Sequence, residues 1–167
     1  MSVSGGRTLS QDQLDLLAEH GEERSAAEGE VLYRVGDQRY PFIAILEGEV
    51  EIVDESGRLI ARHGPSGFLG ELSLLTGQSV FVNAVATKPL LYLAVDRDEL
   101  RSLLFDDSDL SEVLLSAFIS RRELLQREEG IGIEVIGPRS SERTRGIAEW
   151  LRNARIPYTW RDRKSVV

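Results

Sequence analysis

A chain of 167 residues, 41% hydrophobic and 29% charged, suffices for one buried core and an appendage. No apolar run approaches the roughly 20 residues that cross a bilayer, so a membrane span is excluded. The absence of cysteine excludes disulfides, thiolate metal sites and Cys nucleophiles.

The net charge of −8 is unevenly spread. Arg139 to Lys164 carries eight basic residues against Glu142, Glu149 and Asp162, so the preceding chain stands near −13. An acidic body repels a phosphate backbone, and nucleic acid is not an expected partner. The interrupted basic tail reads as a solvated helix face. The polar start MSVSGGRTLS has no apolar core of a secretory signal, which makes a cytoplasmic address the expectation.

In chain order, Ser10 followed by Gln13 reads as the N-cap of a short helix closed near Gly21, within an N-terminal helical segment over 1–22. The period then changes. Val31, Tyr33 and Val35 alternate with Leu32 and Arg34, Phe42 to Leu46 is a short buried run, and Val50, Ile52, Leu59 and Ile60 follow. Gly29, Gly36, Gly48, Gly57 and Gly64 bound these segments, as in a compact antiparallel barrel or jelly roll. In Leu46–Val53, Glu49 and Glu51 face water while Val50 and Ile52 face inward, with Gly48 supplying a turn or bulge. Glu47, Glu49 and Glu51 therefore read as a solvent face and not as a metal cluster. His20 reads as a helix-end residue and His63 as a loop residue beside Gly64-Pro65; neither reads as a metal ligand.

Two more strands are expected at Val80–Ala86 and Leu90–Val95. Asp96 caps a helix, and Ser108 or Asp109 starts a longer one reaching Gly130, with Leu110, Leu114, Ala117, Phe118 and Leu125 on one stripe and Val113 and Leu124 beside it. This stripe is wide enough to line the barrel mouth or to pair helix 109–129 with its copy in a homodimer. Ile131–Pro138 reads as a strand, the segment after a Ser140 or Ser141 cap as a helix, and Arg155–Asp162 as a second strand. Such a β-α-β unit is not a helix-turn-helix.

The glycine-punctuated strands and Gly67-Phe68-Leu69-Gly70-Glu71-Leu72-Ser73-Leu74-Leu75, followed by terminal helices, resemble the cyclic-nucleotide-binding domain of bacterial catabolite activators and cyclic-nucleotide-dependent kinases. The resemblance implies a mainly β fold with helices over 23–130, with a jelly roll flanked by N- and C-terminal helices. It also implies a pocket in which Gly70 and Glu71 open a short helix, Leu72 and Ser73 fill its apolar and small positions, and Glu71 receives a ribose hydroxyl, although Glu71 reads equally as a capping acid at a helix start that needs no ligand. The family's Pro-Arg step falls on Ser79-Val80, with Phe81 next, so the phosphate-neutralising guanidinium is replaced by a branched hydrocarbon. Two expectations follow: a pocket that has lost phosphate binding, or a sensor in which Arg39, Arg62 or His63 supplies the cation for a cyclic nucleotide or other small anion.

Residues 131–167 resemble the opening of a thioredoxin or glutaredoxin fold, a partial unit in which Ser141 and Thr144 stand where two cysteines would be. Hydroxyls cannot exchange disulfides. The whole order, from E-E-R-x-x-A-x-G-E-V-L-Y-R-x-G-D through L-E-G-E-V-E-I-V and F-L-G-E-L-S-L-L-T-G-Q to S-R-R-E-L-L, resembles the N-terminal region of bacterial thioredoxin-disulfide reductases that carry such a domain. That implies a regulatory or assembly role toward reductase domains using FAD and NADPH in a longer parent chain. No catalytic set of nucleophile, base and orienting residue is legible here.

Overall fold

The computed structural model describes residues 7–71, 80, 82–127, 133–154 and 158–161, with side chains not described at 122–127, 133, 134 and 159. Contacts divide the chain into two compact units, residues 1–118 and 119–167.

In the first unit, α1 (Gln11–His20) begins at a capping box: Ser10 Oγ accepts from the Gln13 amide and the Gln13 side chain accepts from the Ser10 amide. Among the described residues eight strands follow: β1 (Glu22–Ala26), β2 (Val31–Tyr33), β3 (Phe42–Glu47), β4 (Val50–Val53), β5 (Leu59–His63), β6 (Phe68–Leu69), β7 (Asn83–Ala86) and β8 (Leu90–Val95). They pair into two antiparallel sheets, ordered β1-β8-β3-β6 and β2-β7-β4-β5. That is the order of the expected jelly roll.

Helices α2 (Arg97–Asp106) and α3 (Ser108–Arg127) follow, with Asp96 capping α2 through the Asp98 amide. Leu14 and Leu17 of α1, Leu100 and Leu103 of α2, and Leu110, Leu114 and Ala117 of α3 share one apolar cluster with Phe42, Ala44, Phe68, Leu93 and Val95 of the first sheet. Strands β3 and β6 are buried on both faces, because Ile43, Ile45 and Leu69 alternate with that set and are equally inaccessible. The expected stripe on α3 holds through Ala117, with Val113 and Phe118 half-buried; Leu124 and Leu125 lie outside the described side chains.

Several expectations need correction. The sequence pattern shows no strand before Val31; β1 lacks apolar alternation, since only Ala26 of Glu22–Ala26 is buried, and it forms as an edge strand along β8. The strand expected over 80–86 begins only at Asn83. Asn83 Oδ1 takes the Val35 amide at 2.9 Å, which ends β2 at Tyr33. The carbonyl and amide of Val80 bond to Gly36 and Asp37, at 2.7 and 3.1 Å. His63 is not a loop residue: it ends β5, opposite Val50, and is 9% exposed.

Of the three glutamates only Glu47 is exposed. Glu51 pairs with Arg62, and Glu49 meets Thr87, Lys88 and Arg62. The Thr87 hydroxyl above all, aided by the two cations, holds the Glu49 carboxyl below the usual carboxylate range. Among the described residues no group of His, Asp and Glu is placed to hold a metal, and no helix is long and apolar enough to cross a membrane.

Ser66 has φ +67, the left-handed region that disfavours a side chain. Its backbone is fixed on both sides, with its amide on Ile45 and its carbonyl receiving the Leu9 amide, each at 2.8 Å. Ser66→Gly removes the steric cost and adds backbone entropy to the unfolded chain. A net gain of about 0.5 kcal/mol is expected, read as a higher urea midpoint at unchanged slope.

In the second unit, β9 (Ile133–Ile136) and β10 (Tyr158–Arg161) pair in parallel and α4 (Glu142–Asn153) connects them in sequence, the β-α-β arrangement expected from the pattern. Val135, Thr144, Ala148 and Leu151 are buried. Trp160 donates its indole N–H to the Gly137 carbonyl at 2.9 Å, with the Arg139 guanidinium 5.4 Å from its ring centroid. The stretches expected at 131–132 and 155–157 lie outside the described residues.

Candidate functional site

Gly64-Pro65-Ser66-Gly67 leads from β5 into the two-residue strand β6, and Ile45 brackets this loop by bonding the Ser66 amide and the Gly67 carbonyl. The chain therefore enters Gly70 from a fixed frame. Gly70 has φ +100, and a Cβ there would sit 3.1 Å from the Pro41 carbonyl and 3.3 Å from the Phe42 Cα. Only glycine lets the backbone turn this close to β3.

Glu71 is the first helical residue after that turn and is 1% exposed. An acid at a helix start is favoured by the local positive potential, but a surface cap would be wet. Burial of this degree places the carboxyl inside the fold.

The other end of the site is Val80, 6% exposed and stitched to the Gly36–Asp37 turn. Val82, Ala84 and Ala86 continue the buried face into β7, across from Val50 and Ile52 of β4. The structure thus places Gly70 and Glu71 beside β3, and Val80 beside the turn that precedes β3. Leu72, Ser73 and Phe81, also expected in the cassette, lie outside the described residues.

Of the three cations considered as substitutes, Arg39 is exposed and Arg62 is committed to Glu51 and Glu49. His63 is the buried one. Pairing opposite Val50 puts the two side chains on the same face of their sheet. Sequence pattern alone missed this, because a single His before Gly-Pro reads as a loop. Tyr40 and Pro41 were also missed; they back the Gly70 turn and carry no periodic signal.

In the second unit, Ser141 caps α4, its Oγ accepting from the Thr144 amide at 3.3 Å. Thr144 is 9% exposed, and a Cβ on Gly137 would fall 2.6 Å from its Oγ1. Both hydroxyl residues therefore have local structural work, one in capping and one in packing.

The family model described as "Cyclic nucleotide-binding domain" matches residues 23–107. A cAMP-dependent protein kinase regulatory subunit from Eremothecium gossypii is 28% identical over 118 residues, which is 71% of this chain; the chain spans only 26% of that relative's length. Among solved structures, the catabolite activator protein of Thermus thermophilus is 26% identical with a TM-score of 0.57, over 69% of this chain and 55% of that one. The N-terminal domain of a transcriptional regulator from Streptomyces coelicolor is 28% identical with a TM-score of 0.52, over 69% and 84%.

Proposed function

Because the chain belongs to the cyclic nucleotide-binding domain family, we propose that it is a regulatory or assembly domain whose ligand pocket has lost its phosphate site. The observation that carries this reading is Val80, a buried hydrocarbon where the family pattern calls for arginine. The start of the cassette helix favours an anion by about 0.3–1 kcal/mol at exposed sites and up to about 2 in partly buried ones. Removing the cation that faces a largely buried phosphate costs on the order of 3–5 kcal/mol. The deficit exceeds the dipole's contribution, and an affinity loss of a hundred-fold or more follows, at tenfold per 1.4 kcal/mol.

The wider context is part of the same proposal. The order of segments resembles that of the region preceding the flavoprotein in bacterial thioredoxin-disulfide reductases, with the unit from 131 taken as a partial thioredoxin-like element. Ser141 and Thr144 at the thiol positions make that element redox-silent. FAD and NADPH belong to the parent's other domains, and this region's role is to place them or to pair two chains. Leu115 and Ile119, 51% and 49% exposed on α3, are apolar residues that support pairing.

One observation favours a second reading. His63, buried beside Val50, is a nitrogen base inside the roll, so a cyclic nucleotide whose phosphate meets His63 and whose ribose hydroxyl donates to Glu71 would make the domain a sensor. A thermal-shift screen of cyclic mononucleotides, cyclic dinucleotides and simple anions separates the two. Under the first reading no cyclic nucleotide moves the melting temperature at cellular concentrations. Under the second a ligand raises it, and Glu71→Ala abolishes that rise while leaving the unliganded protein folded. Micromolar binding of cyclic AMP in calorimetric titration overturns the first reading.

A further inference from the structure

We propose that a second cleft in the first unit, lined by neither Glu71 nor Val80, binds a small organic phosphate. The depression has a volume of about 660 Å³ and lies among the end of α1, β1, the β2–β3 loop, the end of β8 and the start of α2. Four arginines converge on it: Arg24, Arg39, Arg97 and Arg101. The same lining carries Glu22, Asp96 and Asp98, so in a chain of net charge −8 the depression keeps a small positive excess at a concave place. The volume lies within the range of small-molecule sites.

The acids of the lining offset part of this charge and leave the excess at Arg39. Glu22 accepts both Nε and Nη2 of Arg24, at 2.9 and 2.8 Å, which pins that guanidinium at the wall. Asp98 faces Arg101 at 3.6 Å, and Asp96 is engaged by the Asp98 amide as the cap of α2. His20 at the rim is bound to Glu99 at 2.6 Å. Arg97 donates to the Gln38 carbonyl at 3.3 Å, which brings α2 against the loop residue next to Arg39. Arg39 itself forms no ion pair among the described residues and is exposed. Planar, permanently charged forks of this kind match phosphate geometry.

The apolar part of the wall decides for an organic phosphate over a bare ion. Tyr40 and Pro41 sit beside Arg39 on the loop, and the Tyr40 ring is held against Tyr33 at 4.8 Å between centroids. A flat organic group has that surface to cover while its phosphate meets the arginines. The same Tyr40 and Pro41 are neighbours that a Cβ on Gly70 would meet.

The test is calorimetric titration of the intact chain at matched ionic strength with two probes, inorganic phosphate and adenosine 5′-monophosphate. Both are expected to saturate, with the nucleotide at least about threefold tighter. Arg39→Glu is expected to weaken both by tenfold or more while leaving the unliganded melting temperature unchanged, since its side chain is solvent-exposed. Glu71→Ala is expected to titrate as the wild type does, which keeps this site distinguishable from the cassette pocket. Absence of saturable binding, or full binding by Arg39→Glu, overturns the proposal; so does loss in Glu71→Ala alone. A nucleotide that binds no better than inorganic phosphate overturns the organic part of the assignment.

Discussion

Under the proposed loss of the phosphate site, Val80→Arg is expected to raise the affinity for cyclic AMP at least a hundred-fold. The position is 6% exposed, between a turn that receives its backbone and the strand that continues the buried face. A guanidinium there has no solvent to dissolve in, so the unliganded variant carries the cost of a largely buried, unpaired charge. Its melting temperature should fall, and a cyclic nucleotide should restore it by mass action because the ligand binds only the folded state. Val80→Leu keeps the hydrocarbon and is expected to melt close to the wild type without responding to ligand. Calorimetry measures the affinities and a thermal scan the recovery. A folded Val80→Arg that binds nothing, or a wild type that already binds in the micromolar range, removes the basis for calling the pocket phosphate-deficient.

The largest stability effect is expected at Gly48, in the tight link between β3 and β4. Its φ is +98, and a Cβ there would lie 2.4 Å from the Pro89 carbonyl and 3.0 Å from the Leu90 Cα. Both obstacles are backbone, so no rotamer change relieves them. Strain of this kind adds to a conformational cost of order 1–3 kcal/mol, and Gly48→Ala is expected to lose about 4 kcal/mol, a large share of the 5–15 kcal/mol typical of a whole domain. Gly57 separates the two contributions, since it also has positive φ, +86, but nothing lies within 4 Å of its Cβ position. Gly57→Ala should lose only the conformational part, about 1 kcal/mol. Equal denaturation midpoints for the two variants would show that the Pro89 approach does not matter.

The strands legible in advance were those whose two faces differ or whose faces are both buried. Val50 and Ile52 alternate with glutamates, and Phe42 to Ile45 is an unbroken apolar run, so β4 and β3 followed from pattern. β1 was invisible because Glu22 to Ser25 are exposed and its stability comes from pairing with β8. The start of β7 was misplaced because a side chain, Asn83, takes a backbone partner; hydrophobic alternation carries no trace of such a substitution. Gly70 and Glu71 were legible as a local motif. The arginine cleft was not, since residues 24, 39, 97 and 101 are far apart in the chain and only the fold gathers them.

The bond from the Leu9 amide to the Ser66 carbonyl ties the entry of α1 to the loop feeding Gly70. The first helix and the cassette are thereby mechanically in series. A displacement of that loop must either drag the helix start with it or break this link, so amide exchange at Leu9 should report events at Glu71 from outside the roll.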